Sequence, residues 1–167
     1  DNGEGGIERK TNGAVDKIDG RNKRLSQNNG ERMLRVSETF RNQLSVLSAE
    51  FRLFVFGPVP EVGWDVPKYY AHKAIYNDAE LMTHTHSFIN HKSRVSNFIN
   101  IIDSIDSDSL YLYEIAGLFC NKDTERCAMN EGRELLYRDE NHLSMYGAKI
   151  VAKDFIKKFG ILFSEKK

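Results

Sequence analysis

Apolar residues recur along most of this chain with the period of helices that are buried on one side. From about Glu31, side chains three or four positions apart form one apolar face, made up of Met33, Val36, Phe40, Leu44, Leu47 and Phe51. A second helical pattern covers about residues 77–105, with an apolar side formed by Phe88, Val95, Phe98, Ile99, Ile102 and Ile105. A last helix is predicted after Ser144, a suitable N-cap, and Gly160 is its predicted stop.

Two short apolar runs between these helices predict strands. Residues 52–57 are almost wholly apolar, as in a strand covered on both faces, and residues 110–115 form a second run. The order helix, strand, helical crossover, strand, helix is that of an α/β layer with parallel strands. Because two strands make a small sheet, we predict an incomplete α/β domain, whose open strand edges invite pairing into a homodimer.

A stiff loop follows the first strand. The prolines of the segment from Gly57 to Glu61 cannot continue the strand, and an aromatic loop with Trp64 and Tyr69 runs on to about residue 71. Loops beyond the carboxyl ends of parallel strands share one rim, so we expect this loop near the segment that leads to His142. Trp64 and Tyr69 could stack on a sugar ring, or they could cover the sheet edge.

The first 30 residues differ in composition from the rest. They contain six of the twelve glycines and five asparagines, with only scattered apolar positions. This predicts a partly ordered lead-in over residues 1–30 and a folded portion over residues 31–167. The chain starts at Asp1 without an initiating Met and without a signal-peptide pattern. We therefore expect it to be part of a longer protein.

The charge balance does not favour nucleic acid or an anionic membrane as a partner. Lys and Arg total 24, and Asp and Glu also total 24, so no net field draws the chain to nucleic acid or to an anionic membrane. The hydrophobic fraction of 40% is ordinary for a globular protein. No apolar run approaches the ~20 residues of a membrane span.

The main chemical signal is the segment from Asp139 to Ser144, Asp-Glu-Asn-His-Leu-Ser. Because the aspartate lies three residues before His142, its carboxylate can reach one imidazole nitrogen while the other faces a substrate. This is the base-and-orienter half of a Ser-His-Asp site. The alternative is a plain turn, in which Asp139 caps backbone amides and His142 is a surface residue.

Three further histidines, His84, His86 and His91, are poorly spaced for a metal site. On a helix, His84 and His91 would share one side and His86 would point about 200° away from His84. No carboxylate completes the set. We predict a solvated helix face and no metal site.

The two cysteines, Cys120 and Cys127, lie at either end of a polar loop. We expect a disulfide across this loop, which would indicate an oxidising compartment; the alternative is two reduced thiols. The spacing does not match a Cys-x-x-Cys redox pair, and no histidine nearby in sequence supports zinc.

The block from Leu136 to Ala148, Leu-Tyr-Arg-Asp-Glu-Asn-His-Leu-Ser-Met-Tyr-Gly-Ala, resembles the last sequence block of SGNH (GDSL-type) hydrolases, whose signature is Asp-x-x-His. Its fuller pattern is similar to one branch, the SGNH domain fused to membrane acyltransferases that O-acetylate bacterial surface polysaccharides such as lipopolysaccharide O-antigen. The segment from Phe56 to Glu61 and the paired cysteines also resemble this branch, so the resemblance covers about residues 51–159.

The resemblance implies the C-terminal portion of a flavodoxin-like, three-layer SGNH domain. It assigns Asp139 and His142 as catalytic acid and base. The family's nucleophile is a serine in a Gly-Asp-Ser block, which is absent from this sequence. Ser144 is better used as a helix cap, so we expect the chain alone to be inactive.

The resemblance also implies a reaction and a setting. An acetyl group would come from acetyl-CoA, used by a fused membrane acyltransferase domain, and would pass to a polysaccharide acceptor, with no cofactor bound directly. The domain would lie on the extracytoplasmic (periplasmic) face, tethered to the inner membrane, with Glu61, Trp64 and Tyr69 in a substrate loop. The alternatives are a free-standing SGNH esterase and a non-catalytic glycan-binding or structural module.

Overall fold

The computed structural model describes residues 29–75 and 85–164 of the 167-residue chain. Its elements, in chain order, are α1 (Asn29–Glu50), β1 (Leu53–Phe56), α2 (Val66–Ile75), β2 (Thr85–Ser87), α3 (Phe88–Asp103), β3 (Leu110–Tyr113), α4 (Ala116–Phe119), β4 (Cys120–Asn121), β5 (Arg126–Ala128), β6 (Asn130–Glu131), β7 (Glu134–Leu135) and α5 (Met145–Ser164). Of the predicted lead-in, residues 1–28 lie outside the described residues and the last two belong to α1.

The chain divides into two compact units. Among the described residues, the larger unit comprises 55–75, 85–96 and 112–164, and the smaller unit comprises 29–54 and 97–111. In the smaller unit, α1 confirms the first predicted helix, and Phe40 on α1 stacks on Phe98 with ring centroids 5.8 Å apart. Leu44 is buried, whereas Leu47 and Phe51 are largely exposed. Only part of the predicted apolar face is therefore covered.

β1 and β3 pair in a two-stranded sheet. The N–H of Leu53 donates to the carbonyl of Ser109 at 2.7 Å, and the N–H of Gly57 donates to the carbonyl of Tyr113 at 2.9 Å. Donor and acceptor both advance by four residues, so the strands run parallel, and the predicted α/β class with parallel strands is confirmed.

The prediction that the first strand is covered on both faces is wrong. Phe56 at the end of β1 is 47% exposed. Its ring contacts Phe155 and Tyr113, with centroid distances of 4.8 and 5.3 Å. Both contacts lie within the larger unit and leave nearly half of the Phe56 surface uncovered.

The larger unit holds an apolar core that reaches from β3 to α5. Its most buried members, each at most 2% exposed, are Val62, Val66, Tyr113, Met129 and Tyr137. Complete burial of a large apolar side chain contributes about 1.5–3 kcal/mol, so these residues fix the segments that flank the candidate site. The Tyr113 hydroxyl donates to a carboxylate oxygen of Asp154 at 2.8 Å, which satisfies its polar end.

Residues 66–75 form a helix where the sequence predicted a loop. Asp65 starts this helix: its Oδ1 accepts the N–H of Lys68 at 3.0 Å, and its carbonyl accepts the N–H of Tyr69 at 3.0 Å. Pro67 lies in the first turn, where a missing N–H removes no helical hydrogen bond. The Asp65 cap and the proline in the first turn favour a helix here, although the aromatic composition of the segment had suggested a loop.

The second predicted helix begins later than expected. Residues 85–87 form the strand β2, which pairs antiparallel with β5, and α3 starts at Phe88. Ser87 provides the cap, because its Oγ accepts the N–H of Asn90 at 3.2 Å. Residues 76–84, the uncertain start of the predicted helix, lie outside the described residues.

The cysteine segment forms an antiparallel pair of strands. Cys120 on β4 lies opposite Cys127 on β5, and their sulfur atoms are at bonding distance. β5 is the middle strand of the order β2-β5-β4. Cys127 is fully buried, so the sulfur bridge joins the edge strand β4 to the covered strand of this small sheet.

Candidate active site

A tight turn carries Asp139 and His142 at the start of α5. Tyr137 and Leu143 form an antiparallel bridge, and the N–H of Arg138 donates to the carbonyl of His142 at 3.0 Å. The turn is thus closed by backbone contacts at its base. Asp139 and His142 lie inside it, on the segment that the sequence singled out.

Asp139 accepts three hydrogen bonds from its own turn. Its Oδ1 accepts the N–H of Asn141 at 3.0 Å and the N–H of His142 at 2.7 Å. Its Oδ2 lies 2.8 Å from Nδ1 of His142. Because a carboxylate can only accept, Nδ1 carries the proton of a neutral ring and Nε2 keeps a free lone pair.

The surroundings of Asp139 favour its charged form. Partial desolvation raises the pKa, but the N–H groups of Asn141 and His142 and the His142 ring lower it more, to about 2. Nε of Arg138 lies 3.6 Å from Oδ2. The carboxylate therefore stays ionised at any physiological pH.

The His142 ring is accessible, since its side chain is 61% exposed, against 28% for Asp139. The hydrogen bond that the sequence predicted between these residues is present. Both interpretations of the segment are also visible together, because Asp139 caps backbone amides and orients the imidazole at once. The catalytic role of the pair stays a prediction.

Ser144 anchors the turn to the helix behind it. Its Oγ accepts the N–H of Gly147 at 3.1 Å, which confirms the predicted N-cap, and donates to the carbonyl of Leu135 at 2.5 Å. Its N–H donates to the carbonyl of Leu136 at 2.9 Å. The hydroxyl is thus used as a helix cap, and the expectation that Ser144 is not the nucleophile stays a prediction.

The loop after β1 lies beside this turn, as expected from the shared rim. The N–H of Val62 donates to the carbonyl of Glu140 at 2.9 Å, and the Val62 side chain is fully buried. The backbone N–H of Lys68 lowers the pKa of Asp65, and the charge of Asp139 acts in the opposite direction. Val62 is a supporting residue that no sequence pattern marked.

The three predicted substrate-loop residues have different settings. Glu61 pairs with Arg94 at 3.1 Å. Trp64 packs on the apolar core, 6.2 Å from the ring of Tyr69, and its Nε1 is buried without a hydrogen-bond partner among the described residues. Tyr69 lies on α2 rather than in a loop. Their contact with a substrate stays a prediction.

The prediction of a solvated helix face for the histidines is wrong for two of the three. His86 lies on β2 and is 1% exposed, and His91 lies on α3 and is 6% exposed. His86 lies on β2, which pairs with β5, and its ring packs against Tyr137, whereas the His91 ring stacks on Phe88. His84 lies outside the described residues. Within residues 29–75 and 85–164, no group of three potential ligands could hold a metal ion.

Comparison with known proteins assigns the sequence to a family. A family model described as an SGNH domain fused to AT3 (acyltransferase-3) domains matches residues 7–157, which is most of the chain. No curated protein and no solved structure matches significantly. Among the helices that the structure describes, none is long and apolar enough to cross a bilayer. The chain belongs to the family of SGNH domains that are fused to AT3 domains.

Proposed function

We propose that this chain supplies the acid–base part of an acyl-transfer site in a polysaccharide O-acetyltransferase of the SGNH type. The observation that carries the proposal is the 2.8 Å contact between Oδ2 of Asp139 and Nδ1 of His142, inside a turn closed by backbone hydrogen bonds. In a neutral ring this contact keeps the proton on Nδ1 and leaves a lone pair on Nε2, which is what a general base needs.

In the proposed reaction, Nε2 of His142 takes the proton of a serine hydroxyl as the serine oxygen attacks an acetyl carbonyl. The serine belongs to a nucleophile block that this sequence does not contain. Asp139 stabilises the imidazolium, which then returns the proton to the leaving group of the acetyl donor. In the second half, His142 takes the proton of a sugar hydroxyl, the sugar oxygen attacks the acetyl-serine, and the serine oxygen recovers the proton.

The fusion of this family to AT3 domains supports a proposed setting. We propose that a membrane acyltransferase domain of the same parent protein uses acetyl-CoA as donor, and that the acceptor is a surface polysaccharide such as O-antigen on the periplasmic side of the inner membrane. Glu61, Trp64 and Tyr69 would then contact the acceptor, because the Val62–Glu140 hydrogen bond keeps their segment beside the turn.

The proposal is tested in the natural protein that carries this chain. His142→Ala removes the base, so the rate of O-acetylation should fall by about 10²–10⁴-fold. Asp139→Asn should also lower this rate. The readout is the acetyl content of purified polysaccharide by proton NMR. His72→Ala, on an exposed part of α2, is the matched control and should acetylate normally. Normal acetylation with His142→Ala would refute the proposed role.

A further inference from the structure

Among the described residues of the larger unit, His86 and His91 are buried, and they differ in what they touch. The His86 ring meets the Tyr137 ring edge-on, with centroids 6.2 Å apart and an angle of 80° between the planes. The His91 ring stacks on Phe88 with centroids 6.2 Å apart. Of the two, His86 contacts the active-site turn, because Tyr137 is the residue at which this turn begins.

Tyr137 links the core to the backbone of the turn. Its side chain is fully buried and lies against Phe119, with ring centroids 6.5 Å apart. Its backbone is bridged to Leu143, and the next residue, Arg138, is bonded to the carbonyl of His142. A close-packed core does not let a ring shift alone, so a displaced Tyr137 ring moves the turn as well.

The surroundings of His86 suit a neutral ring and not a charged one. Arg126 on β5 and His91 on α3 face it with positive or potentially positive charge. The Tyr137 hydroxyl stays neutral, because burial raises its pKa. Among the described residues, no carboxylate contributes an opposing charge to His86, and its Nε2 has no hydrogen-bond partner.

Protonation at this place would create a buried, unpaired N–H on a charged ring, which is strongly unfavourable. Burial lowers the pKa of His86 from 6.5 to about 4, with smaller contributions from the charges of His91 and Arg126. The ring therefore takes up a proton near neutral pH only when it leaves the core.

We propose that Tyr137 and His86 are positioning residues for the Asp139–His142 pair, and that acid releases them, because a protonated His86 ring leaves its place against Tyr137 and the turn loosens. The consequence for acyl transfer rests on the proposed function. The coupling between His86 and the turn is a property of the fold and can be measured without any activity.

The test is amide hydrogen exchange in the turn, read at the amides of Arg138 and Ser144 as protection factors between pH 7 and pH 5. With a pKa of 6.5 in the open state and about 4 in the closed state, opening becomes about 20-fold more favourable over this range. Protection in the unsubstituted protein should fall by that factor. His86→Phe keeps a ring that does not titrate, so its protection should stay constant.

His91→Phe is the matched control, since it removes the other buried histidine and should retain the 20-fold fall. His86→Gln, a smaller neutral side chain, takes the place of His86→Phe if the phenylalanine variant does not fold. An equal fall in the His86 variants, or constant protection in the unsubstituted protein, would overturn the proposal. Neither exchange result changes the O-acetylation rate expected for the His142→Ala protein. The proposal on His86 and the proposed function can therefore be refuted independently.

Discussion

Asp139 is held in place by backbone hydrogen bonds in addition to its contact with His142. Two backbone N–H groups donate to one carboxylate oxygen, which leaves the other oxygen for the imidazole. These two hydrogen bonds fix the orientation of the carboxylate that the imidazole contacts. A preorganised partner of this kind is what the proposed base requires.

Removing the Asp139 side chain should loosen the turn. In Asp139→Ala two backbone N–H groups lose their acceptor, so the free energy of unfolding should fall by about 1–2 kcal/mol. Asp139→Asn keeps an amide oxygen at the same place and should lose less. Urea denaturation of the two variants measures the difference. Equal stability of both variants and the unsubstituted protein would contradict the anchoring role.

The same carboxylate makes a predictable contribution to acid stability. The pKa of Asp139 is lower in the folded protein, about 2, than the ordinary value of 3.8, so the folded state binds fewer protons between these values. Its stabilisation is complete above pH 3.8 and is lost as the pH falls toward 2. Stability curves of Asp139→Asn should lack this part of the acid decline, whereas a parallel decline in both proteins would contradict the assignment.

At the scale of elements, α5 packs so closely against the backbone of Leu136 that only glycine fits at position 147. A Cβ on Gly147 would overlap the carbonyl oxygen of Leu136, which also accepts the N–H of Ser144. At Gly160 the same Cβ would meet only Ile156 Cγ2, at 3.6 Å, an ordinary contact. The two glycines of one helix therefore have opposite roles.

Alanine substitutions should separate these roles. Gly147→Ala should lower the free energy of unfolding by about 1–3 kcal/mol through overpacking, and it should also displace the turn. Gly160→Ala should raise it by about 0.5–1 kcal/mol, because alanine is favoured in a helix interior. Chemical denaturation of both proteins measures the pair. A stabilised Gly147→Ala protein would show that the close approach is wrong.

The sulfur bridge should stabilise the small sheet around His86. The cysteines are seven residues apart, and closing a loop of this size is worth about 2–3 kcal/mol in the chain-entropy description. A double Cys120→Ala, Cys127→Ala protein should lose about that much, measured by thermal unfolding. Alkylation of the folded, non-reduced protein should find no free thiol. Two reactive thiols would contradict the bond and the expectation of an oxidising compartment.

Local patterns predicted the elements whose signals lie within a few residues. Such signals predicted α1 from its periodicity, β1 and β3 from their apolar runs, and the start of α5 from the Ser144 cap. The helix after Asp65 was missed because aromatic residues masked its cap. Gly160 was wrong as a stop, because α5 continues to Ser164 and Phe163 packs near Phe155 at 5.9 Å.

At the scale of the whole molecule, the contacts that the sequence did not predict are those between residues far apart in the chain. The bond from Val62 to Glu140 and the contact of His86 with Tyr137 join residues far apart in sequence, and no spacing encodes them. The Asp139–His142 contact was predictable because both residues lie in one turn. The family resemblance was visible in the contiguous block of residues 136–148, and the family model that matches residues 7–157 confirms the family.

The absence of a Gly-Asp-Ser block from the sequence has a consequence for activity. The chain alone should hydrolyse an aryl acetate no faster than the buffer does, because a base without a nucleophile gains little. A spectrophotometric assay with His142→Ala as reference measures this. Turnover that disappears in the His142→Ala protein would mean that a nucleophile is present in these 167 residues.

The central claim is that Asp139 makes His142 an oriented base. Nitrogen-15 NMR of the imidazole, at a pH where the ring is neutral, tests it most directly. The structure predicts that Nδ1 carries the proton and is hydrogen-bonded, that Nε2 is unprotonated, and that Asp139→Ala abolishes this preference. A ring protonated mainly at Nε2, or ring signals unchanged by Asp139→Ala, would contradict the claim.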